Sequence, residues 1–184
     1  MSRIAVIKLH ESELKFSAGH FMIFDENRRE SLHGHDYRVG VEFKTVVVDN
    51  GMSFDCRAFK LDILKLCERL DYKFIIAMHS PFMTLTELPD QWQVQVAKQT
   101  LFFYKQDAIV LPITNVTLEE LSAWFVFRIQ QEITQHCEFI HDISVTVSNG
   151  RGDAGRSVWS EIANHQQAFT PELADQNCID MAQI

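Results

Sequence analysis

Excess basic charge is missing from this chain: 17 Lys and Arg stand against 25 Asp and Glu, a formal charge of −8 with a pI near 5.4. A surface that holds nucleic-acid phosphates needs the opposite balance, which excludes nucleic acid as a partner and leaves only a local arginine cluster for a small anion. Long apolar runs are missing too. Charged or polar residues interrupt every hydrophobic stretch before it reaches the roughly 20 residues of a bilayer-crossing helix, so no membrane partner is expected. The four cysteines, Cys56, Cys67, Cys137 and Cys178, include no C-x-x-C pair, and the first residues lack a charged-then-apolar signal pattern. Reduced thiols in a cytoplasm are the expectation. There is no internal repeat or low-complexity segment, and 184 residues leave no room for a second domain. What the chain does have is 46% hydrophobic and 11% aromatic content, enough for one core. The expected organisation is a single domain over residues 1–162 and a polar, weakly acidic tail over 163–184.

Residues 3–22 and 36–48 are rich in Ile, Val, Phe and Tyr, and Tyr37-Arg38-Val39-Gly40-Val41-Glu42-Phe43 alternates, which predicts two antiparallel strands joined through residues 25–29. Asp55 suits the N-cap of a helix running to about Leu70, with Phe59, Ile63, Leu66 and Leu70 on one stripe. Between Pro81 and Pro112, residues 92–96 and 101–104 flank Ala97-Lys98-Gln99-Thr100 and read as an inserted hairpin. Thr117, with Glu120 three residues on as in a capping box, opens a second helix toward about His136. Residues 140–148 alternate as a third strand, 149–153 form a turn, and 157–162 read as a fourth strand. The order β-β-α-α-β-β predicts an α+β fold: an antiparallel four-stranded sheet, two helices on one face, and a small inserted hairpin. Its edge strands need cover, for which an oligomer is a physically sensible solution.

The most informative residues are His33-Gly34-His35, with His20 upstream. Histidines at i and i+2 of a strand share a face, so two imidazoles can reach one metal, and a third would make an open site. Structural zinc is usually closed by four protein ligands, whereas three ligands and an exchangeable position are the catalytic arrangement. Zn2+ held by His20, His33 and His35 is one reading; for a bare His-x-His an exposed histidine-rich strand is the favoured one, and the flanking residues decide between them. His10, His79, His136, His141 and His165 show no comparable spacing.

In context the histidines stand in Phe16-Ser17-Ala18-Gly19-His20 and in Leu32-His33-Gly34-His35-Asp36-Tyr37-Arg38-Val39. This resembles the 6-pyruvoyl-tetrahydropterin synthase family, which includes the 6-carboxy-tetrahydropterin synthases, with its F-S-A-x-H and L-H-G-H-x-Y-x-V hallmarks. Weaker echoes follow in order: Met52-Ser53-Phe54-Asp55, Leu70-Asp71-Tyr72-Lys73 and Thr117-Leu118-Glu119-Glu120-Leu121, so that the resemblance covers about residues 12–160. It implies the tunnelling fold, in which protomers join their sheets into a barrel as trimers or hexamers with active sites between subunits. It also implies a small-molecule pterin substrate whose side-chain hydroxyls meet the zinc.

The family cysteine that precedes L-H-G-H and acts as base has no counterpart, since no cysteine lies between His20 and His33. Glu30 occupies that segment, and Arg29-Glu30-x-Leu32-His33-Gly34-His35 resembles the glutamate-bearing branch, type III. That branch is associated with cleaving 7,8-dihydroneopterin triphosphate to 6-hydroxymethyl-7,8-dihydropterin. A carboxylate beside a zinc-bound diol can take the hydroxyl proton as the carbon–carbon bond breaks. The alternative for Glu30 is a loop residue paired with Arg28 or Arg29. Where the family has a relay Asp-His, this chain has Asp71-Tyr72, and a tyrosine that titrates near ~10 is a poorer relay than a histidine at ~6.5. The resemblance puts Glu119 near the pterin pocket; its alternative is a charge favouring the helix N-terminus. Asn149 follows Val145-Thr146-Val147-Ser148 where a pterin-holding glutamate is usual. An amide offers one acceptor and no charge, so either Glu161 or Asp153 replaces it, pterin affinity is reduced, or Asn149 is a plain turn residue. Arg28, Arg29, Arg151 and Arg156 are candidates for a triphosphate.

The functional expectation is a zinc-dependent pterin lyase acting on 7,8-dihydroneopterin triphosphate, giving 6-hydroxymethyl-7,8-dihydropterin or else 6-pyruvoyl- or 6-carboxy-tetrahydropterin. The alternatives are a zinc-containing binding or regulatory protein of the same fold and a zinc enzyme acting on another heterocycle.

Overall fold

The computed structural model describes residues 3–48, 50–134 and 139–160. In chain order the first half contains β1 (Arg3–His20), β2 (Ile23–Asp25), β3 (Arg28–Arg29), β4 (His33–Val47), α1 (Cys56–Leu70) and β5 (Lys73–Ala77). The second half contains β6 (Met83–Glu87), β7 (Gln91–Val96), β8 (Gln99–Tyr104), β9 (Ala108–Leu111), α2 (Leu118–Ile129), β10 (Ile140–Ser148) and β11 (Ala154–Ser160).

The alternating segments do form an antiparallel sheet, β11-β10-β4-β1, but it extends two strands further, to β5 and β9. Both additions run parallel, β5 along β1 and β9 along β5, so the sheet is six-stranded and mixed rather than four-stranded and antiparallel. The physical reason lies in the burial of β5. Ile75, Ile76 and Ala77 are all buried, Ile75 and Ala77 in the main core and Ile76 in a second one, so the strand has no polar face and no alternation to read.

The insertion is likewise larger than a hairpin. Strands β6, β7 and β8 form a three-stranded meander, and its β7–β8 turn is the pair Ala97-Lys98 with φ of 47° and 61°, the left-handed pair of a tight hairpin. Val94 and Val96, with Leu85, Trp92 and Phe103, pack on Phe21, Ile23, Phe74 and Ile76. This second core covers the side of β5 and β9 that the helices do not.

Both helices pack into the main core on one face of the sheet. Asp55 caps α1, its carboxylate accepting from the amides of Arg57 at 2.9 Å and Ala58 at 3.4 Å, and Ile63, Leu66, Cys67 and Leu70 are buried with Phe59 partly so. Each large apolar side chain placed there contributes roughly 1.5–3 kcal/mol. Thr117 caps α2 by accepting from the Glu120 amide, but the Glu120 carboxylate accepts from Thr114 N–H at 2.8 Å, so only half of a capping box forms. A π-helical turn, Gln130–Thr134, follows α2; the predicted continuation to His136 lies outside the described residues. Strand β11 begins at Ala154 rather than Ser157. It passes so close to α2 that a Cβ on Gly155 would sit 2.5 Å from the Leu118 carbonyl carbon. The predicted end of that strand at residue 162 and the tail over 163–184 also lie outside the described residues.

Candidate metal centre

The β1–β4 ladder closes on His20 opposite His33, with Gly19 opposite Gly34 and Ala18 opposite His35. Directly opposed residues of an antiparallel pair share a face, and His35, two residues on, returns to it. That face is the core face of Phe16 and Tyr37, and the His20 and His35 rings lie 6.1 and 5.7 Å from the Tyr37 ring. The cluster therefore prolongs the core to its polar end. Gly34 serves the other side of the ladder: a Cβ there would approach the Ala18 carbonyl oxygen at 3.0 Å, and one on Gly19 would meet the Phe74 ring at 2.7 Å.

The three rings pack with centroids 4.5, 5.2 and 4.9 Å apart, and one nitrogen from each lies within 4.8 Å of the others. His20 is buried, and its Nδ1 lies 3.1 Å from the Val116 carbonyl oxygen. A carbonyl only accepts, so Nδ1 carries the hydrogen and Nε2 keeps a lone pair. That Nε2 is buried without a partner. His33 Nδ1 donates in the same way to the Ser31 carbonyl at 2.9 Å. Burial first, then the neighbouring His33 and His35, push His20 down to about 4. Burial, then His33 and Arg151, also lower His35, against the opposing charges of Glu30 and Asp153. Two imidazoles that burial disposes to stay neutral, His20 and His35, beside His33 and with the orphaned buried acceptor of His20, are a donor set that fits a divalent metal.

Glu30 comes to the same place. Its amide donates to the Met22 carbonyl at 2.9 Å, its Oε2 accepts from the Met22 amide at 3.0 Å, and that oxygen lies 3.9 Å from His33 Nε2. The loop pairing with neighbouring arginines does not form. Arg28 pairs with Asp25 at 3.4 Å, and Arg29 reaches Gln99 and the Glu30 backbone carbonyl. Of the other candidate arginines, Arg156 binds Ser144 and Glu42 on β10 and β4, while Arg151 lies near enough to His35 to lower its pKa.

Asp71 ends α1, and its Oδ1 accepts from Ser17 N–H at 2.7 Å. Tyr72 donates its amide to the Ser17 carbonyl, has a left-handed φ of 57°, and is 87% exposed. It lines an open cleft of about 480 Å³ together with Ser17, His35, Asp36 and Phe74. Asn149 closes its own turn, donating to Asp153 Oδ2 and accepting from Arg151 N–H, each at 3.0 Å. Glu119 lies in the first turn of α2, where its carbonyl accepts from Ser122 Oγ. Glu161 lies outside the described residues.

Sequence reasoning missed Asn115. Its Oδ1 accepts from the amides of Ile23 and Val116 and its Nδ2 donates to the Ile23 carbonyl, pinning the segment whose Val116 carbonyl orients His20. A loop asparagine carries no local signal for that task.

In sequence and fold the chain is similar to known proteins. The family model for 6-pyruvoyl tetrahydropterin synthase matches residues 10–152. Proteins of Pyrococcus abyssi and Methanocaldococcus jannaschii, both provisionally named 6-carboxy-5,6,7,8-tetrahydropterin synthase, are each 28% identical over 153 and 151 residues. These alignments cover 80% and 76% of this chain and 88% and 86% of theirs. The fold superposes on Plasmodium vivax 6-pyruvoyltetrahydropterin synthase with a TM-score of 0.80 at 24% identity, covering 86% of this chain and 99% of that one. For the Plasmodium falciparum protein the TM-score is 0.77 at 23% identity, with 85% and 98% covered. The family match runs from β1 into the β10–β11 turn and takes in all three histidines and Glu30, and the chain belongs to the 6-pyruvoyl tetrahydropterin synthase family.

Proposed function

We propose that the protein is a zinc-dependent pterin lyase that acts on 7,8-dihydroneopterin triphosphate and cleaves its side chain to 6-hydroxymethyl-7,8-dihydropterin. The observation that carries this reading is the Glu30 carboxylate oxygen 3.9 Å from His33 Nε2, held by the Met22 amide while Arg28 and Arg29 are engaged elsewhere. His20, His33 and His35 would hold the zinc through their ring nitrogens. Zinc there supplies Lewis acidity toward a substrate oxygen. Glu30 takes the hydroxyl proton as the side-chain carbon–carbon bond breaks, and a proton returns to the pterin-side carbon. In the similar fold of Plasmodium vivax 6-pyruvoyltetrahydropterin synthase, a structure of a glutamate-to-alanine variant is described as that of a catalytic-residue mutant.

Asp71 and Tyr72 serve as the relay pair in this reading, and Glu119 and Asn149 as pterin-binding residues. Because the Asn149 side-chain oxygen already accepts from Arg151 N–H, Asp153, bonded to Asn149, supplies the carboxylate charge beside it. The chain works as a homo-oligomer, a trimer or hexamer, since β11 and β9 end the sheet with edges that need cover. It does so in the cytoplasm; among the described residues no helix is long and apolar enough to cross a membrane.

The test is incubation of the zinc-loaded protein with 7,8-dihydroneopterin triphosphate and chromatography of the products. The expected product is 6-hydroxymethyl-7,8-dihydropterin, and finding only 6-pyruvoyl- or 6-carboxy-tetrahydropterin overturns the cleavage reading. The engagement of Asn149 in its own turn favours a second reading, a zinc-containing pterin-binding or regulatory protein without turnover. Binding of a dihydropterin with no substrate consumed over hours would select it.

A further inference from the structure

The geometry points to Gln99 and Arg29 as positioning residues that clamp the Glu30 segment to the tip of the inserted sheet. Gln99 is the first residue of β8, directly after the left-handed pair Ala97-Lys98, so the turn projects it from the insertion. Its Oε1 accepts from Arg29 Nε at 3.1 Å and Nη2 at 2.5 Å. A guanidinium has five donors and no acceptor, so the glutamine must present its oxygen. The third guanidinium nitrogen, Nη1, donates to the Glu30 backbone carbonyl at 2.6 Å, and the group lies 5.2 Å over the Phe21 ring.

Glu30 is thus fixed from two sides. Arg29 holds its carbonyl, and Met22 exchanges hydrogen bonds with its amide and its carboxylate. The chain runs from Gln99 through Arg29 to a carboxylate beside His33, and it crosses 70 residues of sequence at its first link. A planar fork that engages two acceptors at once restrains orientation as well as distance, which a single-point contact does not. Release of that fork leaves Glu30 held from the Met22 side alone, which loosens its placement beside the histidines, and a misplaced base lowers the chemical step before it lowers binding. The inference rests on the reading of Glu30 as the base, and it gives the inserted sheet a task at the site.

Two variants and two independent readouts test it. Gln99→Ala removes the acceptor, whereas Gln99→Glu keeps an oxygen for the fork and strengthens it. Amide exchange measured by NMR on the zinc-loaded protein is expected to quicken about tenfold at Met22 and Glu30 in Gln99→Ala and to stay near wild type in Gln99→Glu. With 7,8-dihydroneopterin triphosphate, kcat is expected to fall about tenfold in Gln99→Ala with KM little changed, and to recover in Gln99→Glu. Unchanged exchange at Met22 in Gln99→Ala, or equal loss in both variants, overturns the clamp. Failure of the wild type to consume the substrate sinks the lyase reading instead, and the exchange data still decide the clamp.

Discussion

His20 and His33 face each other across the last rung of the β1–β4 ladder, ring centroids 4.5 Å apart, and each gives its Nδ1 hydrogen to a backbone carbonyl. Both Nε2 atoms are left as acceptors by the backbone itself, before any ligand is considered. Loss of either ring therefore removes a donor that no neighbour replaces. His20→Ala and His33→Ala are each expected to purify with almost no zinc, against about one ion per chain in the wild type, by elemental analysis. Full retention of zinc by either variant would remove that histidine from the ligand set.

Glu30→Gln keeps the shape of the side chain and an acceptor for the Met22 amide, but removes the base. Turnover is expected to fall by a factor of about 10²–10⁴, with the zinc content unchanged, when kcat and metal are measured on the same preparation. Wild-type turnover in this variant would take Glu30 out of the chemistry.

How much of this was legible depends on how local the determining interaction is. Tyr37 to Phe43 and the run from Ile140 to Ser148 alternate visibly, and both are strands of the antiparallel part of the sheet. Strands β5 and β9 are short and buried on two sides, so they offered no period to read. The metal cluster was legible because His33 and His35 are neighbours and His20 is close in sequence. The groups that orient it were not. Val116 meets His20 across 96 residues, Asn115 meets Ile23 across 92, and Gln99 meets Arg29 across 70. Asn149 shows the converse, with an obvious local task in a turn that the structure has it performing, whereas Asp71 ends α1 but its carboxylate accepts from Ser17 N–H, 54 residues away.

Asn115 holds Ile23 by both amide and carbonyl while accepting from the Val116 amide, so its side chain sets where the Val116 carbonyl points. Partners of ligating histidines typically alter metal affinity by about 10–100-fold when removed. Asn115→Ala is expected to weaken zinc binding to that degree in a chelator competition, and to lower Tm through the unpaired Ile23 groups. Asn115→Asp, which keeps the acceptor, should lose less. Equal affinity for wild type and Asn115→Ala would show that Val116 holds its carbonyl without help.

Gly155 lies where β11 crosses the start of α2, and an added Cβ would stand 2.5, 2.7 and 2.8 Å from backbone atoms of Leu118 and Glu119. Backbone cannot rotate aside as a side chain can, so the strand and helix must separate. Gly155→Ala is expected to cost roughly 1–3 kcal/mol in denaturant unfolding. A change within 0.5 kcal/mol would mean that the two elements slide apart with little loss of packing.

Cys67 is buried on the core side of α1, and burial first, then Asp71 and Glu68, push its thiol up from 9.0 to about 12. Between those values the unfolded chain releases the proton and the folded chain does not, so the folded state loses stability as pH rises above 9.0 and the loss is complete near 12. By pH 10 the difference from this one group amounts to about 1.4 kcal/mol. Unfolding free energies of wild type and Cys67→Ala, compared from pH 8 to pH 10, should therefore draw together by that amount. Peptide mapping after alkylation at pH 8 should leave Cys67 unmodified until denaturant is added, because a neutral buried thiol is a poor nucleophile. Alkylation of Cys67 in the folded protein, at the rate seen in denaturant, would show that α1 opens from the sheet under native conditions.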